Sequence, residues 1–133
     1  MTEEHKRSLS DWIRENAERY WLSEGGPLAP VSKGGADVIV VDDPQMHGLI
    51  PLIKAVTIDR PVIYRSHIEI RSDLVAKDGT PQSNAWDYLW DNVKMADMFI
   101  SHPVRRFVPS NVPVSMIGYL PAATDWYVAL LPL

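Results

Sequence analysis

Three short apolar runs in this chain each end in a polar cluster, and no other feature restricts its fold so tightly. Residues 36–41 run into Asp42-Asp43-Pro44-Gln45, residues 61–64 into Arg65-Ser66-His67-Ile68-Glu69, and residues 98–100 into Ser101-His102-Pro103. Apolar runs this short, bounded by turn residues and separated by helical periodicity, are the signature of strands buried in a parallel sheet. Ligands of open parallel sheets bind in the crevice outside the carboxyl ends of the strands. Polar residues gathered along that one edge therefore point to a polar small molecule.

The segments between the runs have helical character. Leu9, Trp12, Ile13, Tyr20 and Trp21 give an amphipathic first helix, with Thr2 as its cap, Glu3 and Glu4 in its first turn and Gly25-Gly26-Pro27 as its stop. Asp43-Pro44 reads as the cap and first position of a second helix, which carries Leu49, Ile50, Leu52, Ile53 and Val56 to about Thr57. A third helix, capped by Ser83 or Asn84, has Trp86, Leu89, Trp90 and Val93 as its stripe. The tryptophans on these stripes, Trp12, Trp21, Trp86 and Trp90, are expected in the core. Strands are expected near residues 36–42, 61–66, 97–101 and 114–119, with a short helix starting at Pro103. The resulting α-β-α-β-α-β-(α)-β order, joined by right-handed crossovers, predicts an α/β, Rossmann-like parallel sheet with helices on both faces.

Charge and composition narrow the partners. The 133 residues suit one domain, 46% hydrophobic and 23% charged, with a formal net charge of -4 that disfavours nucleic acid and anionic membranes. No stretch has the apolar length of a membrane span, and the first five residues are too polar for a secretory signal. Cysteine is absent, which removes disulfides and thiolate chemistry and fits a cytoplasmic protein.

At the polar edge, Asp42 and Gln45 are placed beside a helix start, and Arg65, His67, Glu69 and Arg71 alternate with Ser66, Ile68 and Ile70. In extended backbone this alternation sends the polar set to one side. Arg65 and His67 offer the mixed donors and acceptors that a hydroxyl-rich ligand requires. Glu69 and Arg71 can also simply pair with each other. His47, His67 and His102 all follow strand ends, yet without metal-ligand spacing, so no metal is expected. No glycine-rich dinucleotide turn or phosphate loop follows a strand, so no cofactor is expected, and Ser66 and Ser101 lack the elbow of a serine nucleophile.

These residues resemble a known family. Residues 24–30, 42–45, 64–74 and 100–103 look like the amino-terminal domain of fungal trehalose phosphorylase, a retaining, family-4-type glycosyltransferase related to the trehalose synthase that uses nucleotide-glucose. The Arg-x-His-Ile-acidic run at Arg65–Glu69 and the Asp-Pro-Gln at 43–45 make the likeness specific. The resemblance implies one part of a two-domain GT-B enzyme: trehalose plus phosphate giving α-glucose 1-phosphate plus glucose, reversibly and without metal. It implies that the amino-terminal domain holds the acceptor sugar, with Arg65 and His67 facing sugar or phosphate and Gln45, Asp42 and Glu69 beside them. It places the catalytic residues in a carboxyl-terminal domain outside this chain.

The resemblance covers residues 1–126 as an incomplete domain lacking the family's first strand. Residues 127–133 form an atypical apolar tail that reads as cut or mis-spliced, and Trp126 is the candidate for a domain contact. Three expectations follow: the isolated chain is inactive, it binds at most a sugar or sugar phosphate, and its uncovered apolar surface favours self-association or association with a longer relative.

Overall fold

The computed structural model describes residues 1–121; Trp126 and the apolar tail lie outside the described residues. Helix α1 spans Glu3–Asn16, with the Thr2 hydroxyl accepting from the His5 N–H, and Ala17–Trp21 continue it as a wider π turn. Its buried stripe is Leu9, Ile13, Ala17 and Trp21, spaced by four. Trp12 and Tyr20 are half-exposed, contrary to the expected stripe, because they sit one residue off that row.

Four parallel strands follow: β1 Ile39–Asp42, β2 Val62–Ser66, β3 Met98–Ser101 and β4 Ile117–Tyr119, in spatial order β1-β2-β3-β4. Between them come α2 Leu49–Val56, α3 Ser72–Val75 and α4 Pro81–Val93. The α/β class and the parallel sheet are as the sequence predicts, while several boundaries move. Pro44–Met46 form a 3-10 turn separate from α2, residues 114–116 are a 3-10 turn ahead of β4, and Arg105–Phe107 replace the helix expected at Pro103. Thr80, rather than Ser83 or Asn84, caps α4, accepting the Ser83 N–H at 3.0 Å.

One expectation is overturned. Among the described residues, helices cover one face of the sheet, not two. Ile39, Val41, Val62, Tyr64 and Phe99 join Ile13, Ile50, Ile53, Trp86 and Val93 in one core, with Phe99 contacting the rings of Tyr64 and Trp86. On the opposite face Val38 is 50%, Val40 55% and Met98 42% exposed. The reason is topological: each strand lies on the same side of its predecessor, and right-handed crossovers then place every connecting helix on the same face. The strand order never reverses among the described residues, so the edge holds no topological switch point of its own.

The amino-terminal end of the sheet is closed by two buried cations. Lys54 Nζ bonds the carbonyls of Ile58 (3.3 Å) and Arg60 (2.8 Å) and the Asp97 carboxylate (2.7 Å), which also accepts the Val62 N–H. Arg60 donates to the carbonyls of Leu28 and Ala29 and so ties the loop before β1 to the turn before β2. Gly35 makes this possible: a Cβ there would collide with the Ala29 carbonyl.

Candidate functional site

Three residues occupy the same place in the fold. Asp43, His67 and His102 are each the first residue beyond a strand, on β1, β2 and β3 respectively. Because β1 and β2 pair Asp42 with Arg65, and β2 and β3 pair Ser66 with Ser101, these residues meet at the carboxyl edge.

Asp42 and Arg65 are cross-strand neighbours, and the guanidinium lies 3.1 Å from the Asp42 carboxylate. The His67 ring sits between two acids: Nδ1 is 3.2 Å from Asp42 Oδ1 and Nε2 is 3.1 Å from Asp43 Oδ2. The Nδ1 contact with Asp42 has hydrogen-bond geometry, whereas the Nε2 contact with Asp43 is an ion-pair distance only. The main chain of His67 is held as well, its N–H 3.4 Å from Asp43 Oδ1 and its carbonyl 2.9 Å from His102 Nε2.

Asp43 is not the helix cap that the sequence suggests; it makes no cap hydrogen bond. Its backbone stands at φ 63° and ψ 168°, a region that essentially only glycine occupies, and it is the one non-glycine residue with positive φ among those described. Strain of this kind persists where the surroundings over-determine a geometry, and here it delivers the carboxylate to His67.

The expected residues divide. Asp42, Arg65 and His67 are brought together. Gln45 is exposed on the 3-10 turn after β1 with no side-chain hydrogen bond among the described residues, and Gln45, Arg65 and His67 line none of the four main cavities. Glu69 departs too, because β2 ends at Ser66 and the strict alternation ends with it. It lines a largely apolar hollow of about 230 Å3 with Tyr64, Ser66, Ile70 and Trp86. Arg71 does not pair with Glu69 but makes a bidentate pair with Asp73, at 2.8 and 2.7 Å. That pair, chiefly its hydrogen bond, holds the Asp73 carboxyl down at about 2.

Burial perturbs the acidity of two further groups, Tyr64 and His47. Burial pushes the Tyr64 phenol well above its usual range, and the charges of Asp43 and then Asp42 add to the rise. Burial also lowers His47, against a partly opposing hydrogen bond with the Pro44 carbonyl. His47 packs edge-on against Tyr88 inside the protein and plays no part in the edge cluster.

Asp42, Asp43 and His67 offer ligand atoms within 4.8 Å of one another. A cation there would have to displace the His67 contacts and sit beside the positive Arg65, so the charge balance favours the network as it stands. What the cluster presents outward is carboxylate lone pairs and unused guanidinium N–H groups, a set suited to hydroxyls and oxyanions. Sequence reasoning noted His102 at a strand end but weighed it only as a metal ligand, and it took Asp43 for a helix cap. The signal was present in their shared position, one residue past each strand.

A family model described as the N-terminal domain of trehalose synthase matches residues 1–109. Among curated relatives, the trehalose phosphorylase of Pleurotus pulmonarius is 58% identical over 126 residues, covering 95% of this chain and 16% of that protein. The trehalose phosphorylase of Grifola frondosa is 56% identical over 126 residues, covering 95% of this chain and 17% of that protein. The chain thus spans about a sixth of the length of the curated relatives it matches.

Proposed function

The chain belongs to the trehalose synthase N-terminal domain family, and from that premise we propose that it is the acceptor-sugar side of a retaining, GT-B-type glucosyltransferase acting on trehalose. The reaction is trehalose plus phosphate to α-glucose 1-phosphate plus glucose, in either direction. The observation that carries this reading is the junction of Asp42, Asp43, Arg65 and His67 at the carboxyl edge. Sugar hydroxyls donate to the free lone pairs of the two carboxylates, and the remaining N–H groups of Arg65 meet a sugar or phosphate oxygen. His67 holds the two acids in register. A hydroxyl that displaces one acid gains a ring nitrogen beside the carbon where positive charge develops. Gln45 and Glu69 stand apart from this junction and are given no part in it.

A cleft with one wall positions half of its reactants. Turnover therefore belongs to the longer polypeptide, and the 133 residues alone make no glucose 1-phosphate. The uncovered sheet face, with Val38, Val40 and Met98 exposed, supports the second reading of an inactive chain that associates with a longer relative. The resemblance to trehalose synthase offers nucleotide-glucose plus glucose as the alternative reaction, a choice made by residues that bind the donor.

The test is an NMR titration of the labelled chain with glucose and trehalose, beside an assay for glucose 1-phosphate. Shifts that grow with sugar and centre on residues 42, 43, 65 and 67 are expected. Shifts absent from all four, or turnover by the chain alone, would remove the proposal or its inactivity clause respectively.

A further inference from the structure

His67 lies one residue beyond β2, where the strand ladder no longer holds the chain. No backbone–backbone hydrogen bond reaches its N–H or its carbonyl among the described residues. Two side chains take over. Asp43 receives the N–H at 3.4 Å, and His102 Nε2 stands 2.9 Å from the carbonyl oxygen. A carbonyl only accepts, so His102 must carry its proton on Nε2 to make that bond. His102 comes from the end of β3, which pairs with β2 through Ser66 and Ser101 immediately before the two histidines.

We propose that His102 is a positioning residue for His67, clamping its carbonyl from β3 while the strained Asp43 clamps its N–H and ring from β1. The arrangement has a simple physical purpose. A residue held by its side chain alone swings about its own backbone dihedrals, whereas the two ring contacts at 3.1 and 3.2 Å require the ring to stay in one place. Fixing the main chain on both sides removes that freedom before a ligand arrives, so less ordering remains to oppose binding. The strain at Asp43 has the same sense. An aspartate in glycine's backbone region is retained where its carboxylate must point in one direction.

The second readout below rests on the sugar reading of the site; the first does not. Two variants of the full 133-residue chain separate the donor from the ring that carries it. His102→Phe keeps a ring and loses the donor, while His102→Gln loses the ring and keeps an N–H near the Nε2 position. The first measurement is the His67 ring Cε1–Hε1 cross-peak in the sugar-free protein. It moves and broadens in His102→Phe and stays within a linewidth of wild type in His102→Gln. The second is trehalose affinity, which falls roughly tenfold in His102→Phe and stays within about twofold in His102→Gln, the scale of one well-placed hydrogen bond. Thermal melts confirm that each variant is folded. A His67 ring signal unchanged in His102→Phe, or equally disturbed in both variants, overturns the proposal. If the ring responds as stated while the wild-type chain binds no trehalose, the clamp stands and the sugar reading falls.

Discussion

Strand β2 carries a polar cluster at each end, and the two are built on opposite principles. At its amino-terminal end Arg60 is 2% and Lys54 7% exposed, and their hydrogen bonds go chiefly to backbone carbonyls and the Asp97 carboxylate, with Arg60 Nε left without a partner among the described residues. At its carboxyl end the side chains of His67, Asp42 and Arg65 are 42%, 48% and 34% exposed, and oxygens and N–H groups are left over. The first cluster ties three loops to the core. The second adds little to folding, since exposed ion pairs contribute at most about 1 kcal/mol. A polar group is structural when burial makes its partners obligatory and functional when it keeps capacity to spare.

Removing the most buried member breaks the contrast hardest. Arg60→Ala strands the Leu28 and Ala29 carbonyls and opens a hole beside Gly35. It should destabilise the chain by about 3–5 kcal/mol in denaturant unfolding, and a loss below about 1 kcal/mol would place this knot on a par with the surface cluster. Next comes the acid sensitivity of the same end. Burial pushes the Asp97 carboxyl up, but its hydrogen bonds from Lys54 and the Val62 N–H, with the Lys54 charge, carry it below its ordinary value. Its contribution is therefore complete above the unfolded carboxylate range and is lost as pH falls through the lower folded value. Asp97→Asn should flatten stability in that acid window and lower it at neutral pH; an unchanged acid slope would detach Asp97 from the effect.

The carboxyl end should answer in the other direction. Asp43→Gly relieves a backbone that only glycine tolerates and should raise stability by up to about 1 kcal/mol, while trehalose-dependent NMR shifts at His67 disappear. A destabilised Asp43→Gly would mean that the carboxylate holds the fold rather than the site. The smallest stability change is expected for His67→Ala, within about 0.5 kcal/mol as at other exposed positions, with sugar binding abolished. A clear drop in melting temperature would make His67 a structural residue like Arg60.

The parallel strands and their flanking helices were legible because apolar runs and helical stripes are local patterns. Arg65 and His67 were legible too, through the polar residues that end β2. Trp12 was misplaced because periodicity cannot say which of two adjacent rows meets the core, and Glu69 because alternation holds only while the strand lasts. Asp43 looked like a helix cap, a role that its local sequence allows and its observed backbone does not.

By itself, then, the order of apolar and polar residues determined an α/β chain with polar groups at the carboxyl ends of its strands. Which of those groups meet was decided by register and handedness. Pairing Asp42 with Arg65 and Ser66 with Ser101 set Asp43, His67 and His102 side by side. The unreversed strand order left one face of the sheet bare among the described residues. Both outcomes depend on contacts between residues far apart in the chain, and local patterns along a sequence do not specify such contacts.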